Sequence, residues 1–248
     1  MARHVPIRSH MNVRKLLVLA AVVATAFVSQ PASAGPVVSA AIGGAPTAAH
    51  RVNFDGLTLD SVGGTALGPA GSVLVTFVSD AKAVQGSVDG QYAAPYLSGT
   101  NNLGFGSQTT GQTTSTYLTS GRRTEANPTV GVTVQFSGLQ HYVGLLWGSV
   151  DLYNTLELYN GTTLVGTVTG ADVNSVATGD QGVNGTYYVN ITNDLAFDRF
   201  VAHSSSYAFE FDNVAYHETP LTVPDGGTTL ALLGLGLTGM GLLRRRIR

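Results

Sequence analysis

Two acidic side chains near the C-terminal end have a spacing that can support acid–base chemistry. Glu210 and Asp212 are two residues apart in the β-rich stretch Tyr207–Tyr216. Alternate side chains of a strand point to the same face, so the two carboxyl groups share one face while Phe209 and Phe211 share the other. Paired carboxyl groups can hydrolyse glycosidic bonds, one as the nucleophile or base and the other as the acid.

This stretch resembles the E-x-D-x-x-E catalytic strand of jelly-roll glucanases, but position 215 is Ala where that motif has its third carboxylate. Asp151 and Glu157 could complete the set only if folding brought them close. No H-E-x-x-H or G-x-S-x-G motif occurs, and the histidines lack metal-ligand spacing. We therefore predict that the protein is not an enzyme, with a secreted glycan-acting hydrolase or lyase as an alternative.

The composition is that of a turn-rich β protein outside the cytoplasm. Charged residues make up 11% of the chain, glycine occurs 31 times and cysteine is absent, which excludes disulfides and cysteine-based catalysis or zinc binding. Between Gly35 and Pro224 there are five basic and fourteen acidic residues, a formal charge of −9. Because this segment has no basic surface to bind phosphates, nucleic acid is not a predicted partner.

The first 34 residues have the pattern of a secretory signal peptide. Arg14 and Lys15 precede the apolar run Leu16–Val28, and residues 32–34 supply a small-x-small cleavage pattern. The mature chain is therefore predicted to begin near Gly35.

The C-terminal segment 221–248 combines a proline motif, an apolar run and arginines. The uncharged run 228–243 is close to the length that spans a bilayer as a helix, and the arginines would stay cytoplasmic. The signal peptide predicts the same orientation. The motif and the arginine cluster comprise Val223, Pro224, Asp225, Gly226, Gly227, Arg244, Arg245 and Arg246.

These three parts together resemble the PEP-CTERM class of sorting tails, in a VPDSG-like variant rather than the Val-Pro-Glu-Pro form. The resemblance implies recognition by a membrane-embedded exosortase and transient residence in the inner membrane. It further implies delivery to the cell envelope surface or to an extracellular matrix rich in exopolysaccharide. A permanent C-terminal membrane anchor is the alternative, and cleavage of the helix is left open.

Residues 47–220 are predicted to form one all-β domain, which follows a linker over residues 35–46. Short β-rich runs alternate with turn residues, and eight or nine antiparallel strands at this spacing predict a jelly-roll-like β-sandwich. Asn160 and Gly161 predict a type I′ hairpin turn. The polar stretch 86–127 is predicted to be either an elaborated loop region over one end or face, or a partly disordered insertion.

The aromatic residues fall into two groups, one in apolar runs and one in the polar stretch 86–127. Trp147 lies within an apolar run and is predicted to be in the core. The aromatic residues of the polar stretch are better placed to face solvent and touch a ligand; they are Tyr92, Tyr96, Phe105 and Tyr117.

Two segments, Leu145–Gly161 and Phe209–Tyr216, resemble segments of exosortase-sorted surface proteins. The second also resembles the last strand of jelly-roll carbohydrate-binding modules, in which an Asp often ligates a structural Ca²⁺. The resemblance implies Ca²⁺ on Asp212, with Asp55 as a companion ligand, and carboxylate oxygens suit this ion. The alternative is that Asp212 only ends a strand.

These observations predict an exported surface or matrix protein with a structural or adhesive role that involves exopolysaccharide. A calcium-stabilised carbohydrate-binding module is the first alternative, and the glycan-acting enzyme is the second. The predicted partners are an exosortase, exopolysaccharide and, before processing, the membrane.

Overall fold

The computed structural model describes residues 35–41, 44–68, 71–106, 109–122 and 131–221. The predicted signal peptide over 1–34 lies outside these residues. The predicted sorting motif and the predicted span over 228–243 lie outside them as well. Within the described ranges, no helix is long and apolar enough to cross a membrane.

The described residues form an all-β fold of antiparallel strands, as the sequence predicts. The helix among them is the single turn α1 (Gly170–Val173). The strands are β1 (Val37–Ala41), β2 (His50–Val52), β3 (Gly63–Gly68), β4 (Gly71–Val78), β5 (Lys82–Val84), β6 (Tyr96–Leu97), β7 (Gly111–Gln112), β8 (Tyr117–Thr119), β9 (Gly131–Gly148), β10 (Asn154–Asn160), β11 (Thr163–Thr169), β12 (Tyr187–Ser204) and β13 (Glu210–His217).

Two strands of 18 residues each, β9 and β12, organise the fold. The β-rich runs of the sequence predict two separate strands in each region, at 129–136 and 141–147 and at 186–191 and 197–204. Strands β9 and β12 pair with each other in antiparallel register, and the register shifts between Thr192 and Phe197. Opposite this shift, residues 137–139 of β9 are exposed. The two strands therefore bend together and resume pairing on either side of the bend.

Each half of these long strands belongs to a different layer. In the first layer, the strand order is β3-β4-β9-β12-β10-β11, and β9 contributes residues 131–135. In the second layer, residues 142–148 of β9 lie between β12 and β13. Strand β1 extends this layer on the β12 side, while β2, β8 and then β5 extend it beyond β13.

Alternation along the strands directs one set of side chains into a core between the layers. Val132 from the first half of β9 and Leu145 from its second half are fully buried in the same apolar cluster. Trp147 belongs to this cluster and stacks on Phe209 with ring centroids 4.0 Å apart. The predicted core role of Trp147 is therefore confirmed.

The outer face of the second layer is covered by irregular chain. Tyr142 and Tyr188 project from this face into a second apolar cluster, where Ala49 and Leu97 cover them. The described part of the polar stretch 86–127 is thus an ordered cover over one face. Its last strand, β8, joins the layer itself.

Two local details differ from the sequence predictions. Within the predicted linker, Val37–Ala41 forms β1, because its backbone pairs with the free edge of β12. The hairpin between β10 and β11 forms as predicted, but its turn residues are Gly161 and Thr162, one position later. Of these two, Gly161 has the positive φ, +56°, which matches a type II′ turn with glycine first.

Candidate functional site

Lys82, Thr119 and Glu210 form a row across three neighbouring strands on the outer face of the second layer. Thr119 of β8 pairs with Lys82 of β5 on one side and with Glu210 of β13 on the other. Directly opposed residues of antiparallel strands place their side chains on the same face. The sheet therefore positions a cation, a hydroxyl and a carboxyl group side by side.

The carboxyl group of Glu210 is buried but keeps hydrogen-bond partners. Its Oε1 accepts a bond from the Ala93 N–H at 2.9 Å, and its Oε2 accepts one from the Ser149 hydroxyl at 2.5 Å. Burial raises the pKa of Glu210 to about 7, although both donors act to lower it, and the charge of Asp151 raises it further. This carboxyl group therefore titrates near neutral pH.

Glu210 lines a cavity of about 240 Å³ that also receives side chains from two connections. Asp151 and Tyr153 come from the β9–β10 connection, and Tyr207 comes from the β12–β13 connection. The Tyr153 hydroxyl donates to the Tyr207 carbonyl oxygen at 3.1 Å. No Lys, Arg or His lines this cavity within the described part of the chain.

Asp151 is held in place by its own backbone and by a glycine. Its N–H donates to Asn154 Oδ1 at 2.8 Å. A Cβ added to Gly179, whose φ is +67°, would lie 2.5 Å from Asp151 Oδ2, so the carboxylate in its present position lies directly against this glycine. Burial raises the pKa of Asp151.

A second cavity, of about 220 Å³, adjoins the first and contains the other end of the row. Lys82 Nζ lies 3.0 Å from Asp60 Oδ1 and 5.5 Å from the centroid of the Tyr92 ring. The Tyr207 hydroxyl donates to Asp80 Oδ2 at 2.8 Å. The two cavities share Tyr92 and Tyr207 in their walls, so we treat them as two lobes of one carboxylate cleft.

The structure separates the acidic residues that the sequence placed together. Glu210 and Asp212 do share the outer face of β13, but Asp212 lies outside the carboxylate cleft. Asp151 is brought to Glu210, whereas Glu157 lies on the first layer with its Oε1 3.4 Å from His203 Nε2. The pairing of Asp151 with Glu210 depends on long-range folding and has no signal in the local sequence.

Asp55 and Asp212, the predicted calcium ligands, both contact one short segment. Asp212 is fully buried and accepts bonds from the Ser115 hydroxyl at 3.0 Å and from the Asn213 N–H at 2.7 Å. Asp55 accepts a bond from the Thr116 N–H at 3.0 Å. Burial raises the pKa of Asp212 to about 7, and the charge of Asp55 adds to this rise.

These contacts do not test whether Ca²⁺ binds, so the calcium site on Asp55 and Asp212 stays a prediction. The two carboxylates are close enough to interact, but among the described residues no group of three or more His, Cys, Asp or Glu side chains could hold a metal ion. Backbone and hydroxyl oxygens would have to supply the remaining ligands.

The aromatic residues of the polar stretch are only partly where the sequence suggested. Tyr117 is fully buried, so the expectation that it faces solvent is wrong; it packs in a small cluster with Tyr92. Phe105 lies against the Tyr188 ring with centroids 6.0 Å apart. Tyr92 does line the carboxylate cleft. Sequence reasoning missed Tyr153 and Tyr207, which stand in connections between strands.

The buried carboxyl groups make stability depend on pH. Glu210 has a folded-state pKa of about 7, above its ordinary value of 4.5, so the folded protein binds more protons between these values. This destabilising contribution is absent below the ordinary pKa, grows as the pH rises and is complete above about 7. We therefore expect the melting temperature to fall by several degrees between about pH 5 and about pH 8.

The measurement is a thermal melt of the wild type and of Glu210→Gln across this range. The variant should lose up to about half of the decrease, because Asp212 and Asp151 supply the remainder. The exposed Asp194→Asn change is the matched control and should leave the pH profile of the wild type unchanged. If the melting temperature falls equally with pH in the wild type and in Glu210→Gln, Glu210 does not titrate between these pH values.

Comparison with known proteins identifies the C-terminal segment. Residues 222–247 match the family model described as the VPDSG-CTERM motif. The match confirms the PEP-CTERM-like sorting tail, in its VPDSG variant, that the sequence predicts. No curated protein and no solved structure matches the chain.

Proposed function

From the premise that this chain is exported and carries a VPDSG-type C-terminal sorting signal, we propose that an exosortase-like system displays it at the cell surface or in the surrounding matrix. The β domain then acts outside the cell as a structural or adhesive module that contacts exopolysaccharide. The jelly-roll arrangement of its strands stays a prediction.

Support for export across the membrane comes from the two ends of the chain. The signal-peptide pattern over 1–34 directs the domain outward, and the arginines after residue 243 keep the other end cytoplasmic before processing. Both ends therefore predict the same side of the membrane for the domain between them.

Support for glycan contact comes from the carboxylate cleft. Its walls combine the rings of Tyr92, Tyr153 and Tyr207 with the carboxylates of Asp151 and Asp80. Aromatic rings provide apolar surface for sugar rings, and carboxylates accept hydrogen bonds from hydroxyl groups. This combination is the observation that carries the proposal.

We favour binding over turnover in this cleft. Asp212, the acidic neighbour of Glu210 on the strand, lies outside this cleft. The glucanase-like pair that the sequence suggests is thus absent from the cleft.

The test is binding of the mature protein to exopolysaccharide recovered from the same cells, measured by retardation in polysaccharide gels. Tyr207→Ala should abolish the retardation, because it removes a ring shared by both lobes. Tyr159→Ala, on β10 of the first layer, is the matched control and should migrate like the wild type. Equal retardation of all three proteins would contradict the role of the cleft, and release of sugar products would contradict the proposal of a binding protein.

A further inference from the structure

The charge and shape of the carboxylate cleft narrow the class of glycan that it would accept. We propose that the cleft binds a glycan segment with a free ammonium group, an amino sugar without its N-acetyl group, and that the ammonium lies between Asp151 and Glu210. This inference rests on the proposed glycan contact and specifies its ligand.

The first argument is the charge balance of the cleft. The lobe that contains Asp151 and Glu210 has no basic side chain among its described lining residues. In the other lobe, Lys82 is neutralised by Asp60 at 3.0 Å, which leaves Asp80 as a further acid. Arg122 is not among the lining residues, but its charge lowers the pKa of Tyr207 and its backbone N–H donates to Asp80 Oδ1 at 3.2 Å. The cleft therefore favours a cationic or neutral ligand over an acidic one.

The second argument is the hydrogen-bond capacity of the two carboxyl groups. Each Glu210 oxygen accepts one bond from the protein, and a carboxylate oxygen can accept two. A ligand ammonium group carries three N–H donors and no acceptor, so it matches this set. It would also offset the repulsion between the Asp151 and Glu210 charges and favour their ionised forms.

The third argument is an unpartnered hydroxyl group in the neighbouring lobe. Thr119 is 1% exposed, lines that lobe, and its Oγ1 has no hydrogen-bond partner among the described residues. A buried hydroxyl without a partner is costly, so a ligand hydroxyl at this position would supply what is missing. Tyr92 and Tyr207 line both lobes and so supply aromatic side chains where a connecting sugar would lie.

These three observations together favour an extended sugar over a metal ion or a simple amine. A metal would need more ligands than the two carboxylates of this lobe, and no group of three such side chains occurs in the described ranges. A simple amine would leave Thr119 and the tyrosine rings unused. An amino-sugar oligomer can place its ammonium in one lobe and its hydroxyl groups in the other.

The experiment is titration calorimetry of the mature protein, at one pH and ionic strength, with three oligosaccharides of equal length. They are an oligomer of glucosamine, an oligomer of N-acetylglucosamine and an oligomer of a uronic acid. We expect the glucosamine oligomer to bind at least about tenfold more tightly than the N-acetylated one, since a charged hydrogen bond is worth about a factor of ten or more. The uronic acid oligomer should bind most weakly.

Variants assign the binding to the cleft. Asp151→Asn should weaken glucosamine binding about tenfold and leave the weak binding of the N-acetylated oligomer unchanged. Asp194→Asn, at an exposed position of β12, should change neither. Glu210→Gln is the second variant and should weaken glucosamine binding in the same way as Asp151→Asn. A thermal melt of each variant establishes that the protein is folded before the calorimetric titration.

The outcomes separate this inference from the proposed function. Equal affinity for the glucosamine and N-acetylated oligomers, or tighter binding of the uronic acid oligomer, would overturn the ammonium site and leave glycan contact standing. Heat from Ca²⁺ alone that Asp151→Asn abolishes would also overturn it, because the cation would then be a metal. Failure to bind any oligomer or the exopolysaccharide of the cells would refute both proposals.

Discussion

A chain that ends at Leu221 is expected to leave the cell surface and accumulate in the medium. The truncation removes the VPDSG-CTERM match, the predicted span over 228–243 and the arginines. Without this apolar segment the chain lacks the predicted membrane-inserted span on which an exosortase-like enzyme would act. Leu221 is kept because its carbonyl oxygen accepts a bond from the Thr192 hydroxyl at 3.2 Å. Surface, membrane and medium fractions measure the result.

Intact mass of the wild-type protein from the same fractions distinguishes processing from permanent anchoring. We expect a mature form that begins near Gly35 and ends near residues 223–227. Replacement of Arg244, Arg245 and Arg246 by Ser should leave the domain folded but impair its sorting, because the positive charges fix the orientation of the span. If all mature protein keeps the arginines, the tail is a permanent anchor and the exosortase proposal fails.

Asn154→Ala is expected to lower the free energy of unfolding by about 3 kcal/mol or more. Asn154 is fully buried and uses its whole hydrogen-bond capacity. Its Oδ1 accepts bonds from the Asp151 N–H at 2.8 Å and from Trp147 Nε1–H at 3.3 Å. Its Nδ2 donates to Ser204 Oγ and to the Ala208 carbonyl oxygen, both at 3.0 Å. Truncation leaves several of these buried partners without a bond, and each costs about 1–3 kcal/mol.

Denaturant unfolding of the wild type and the variant measures this loss. Asn160→Ala is the matched control, because this exposed amide makes a single bond to the Ala196 carbonyl oxygen and should cost less than about 1 kcal/mol. Asn154→Asp should be at least as destabilising as Asn154→Ala, because it places a carboxylate oxygen against the Ala208 carbonyl oxygen in a fully buried site. A loss below about 1 kcal/mol for Asn154→Ala would show that water replaces the missing partners.

The local pattern of the sequence was enough for the all-β class and for the family of the sorting tail. Alternation in β4 and β10, and the shared face of Glu210 and Asp212, follow from the period of two in a strand. The sorting tail is a continuous segment, so its motif, apolar run and arginines are visible without folding. The fusion of predicted strands into β9 and β12 was not predictable, because it depends on which residues of the partner strand lie opposite the bend.

The carboxylate cleft could not be predicted from local sequence patterns, because it also depends on long-range strand pairing. Asp151 and Glu210 meet because β9 and β13 are neighbours in the second layer, and Thr119 joins them through β8. These pairings link segments that are distant in the chain, so no spacing rule connects them. Tyr117 and Tyr92 illustrate the limit: they lie in one polar stretch, yet one is buried and the other lines the cleft.

The passage of β9 and β12 through both layers sets the order of events in folding. The second layer cannot be completed before β13 is present, because β2 and β8 both pair with this last strand, as in the pairing of Val52 with Val214. Contacts of such long sequence separation close large loops before they gain stabilising energy, which makes folding slow. We expect an exported chain of this topology to complete its second layer only when its last strand is available, so the final packing of the core is deferred until nearly all of the domain has crossed the membrane.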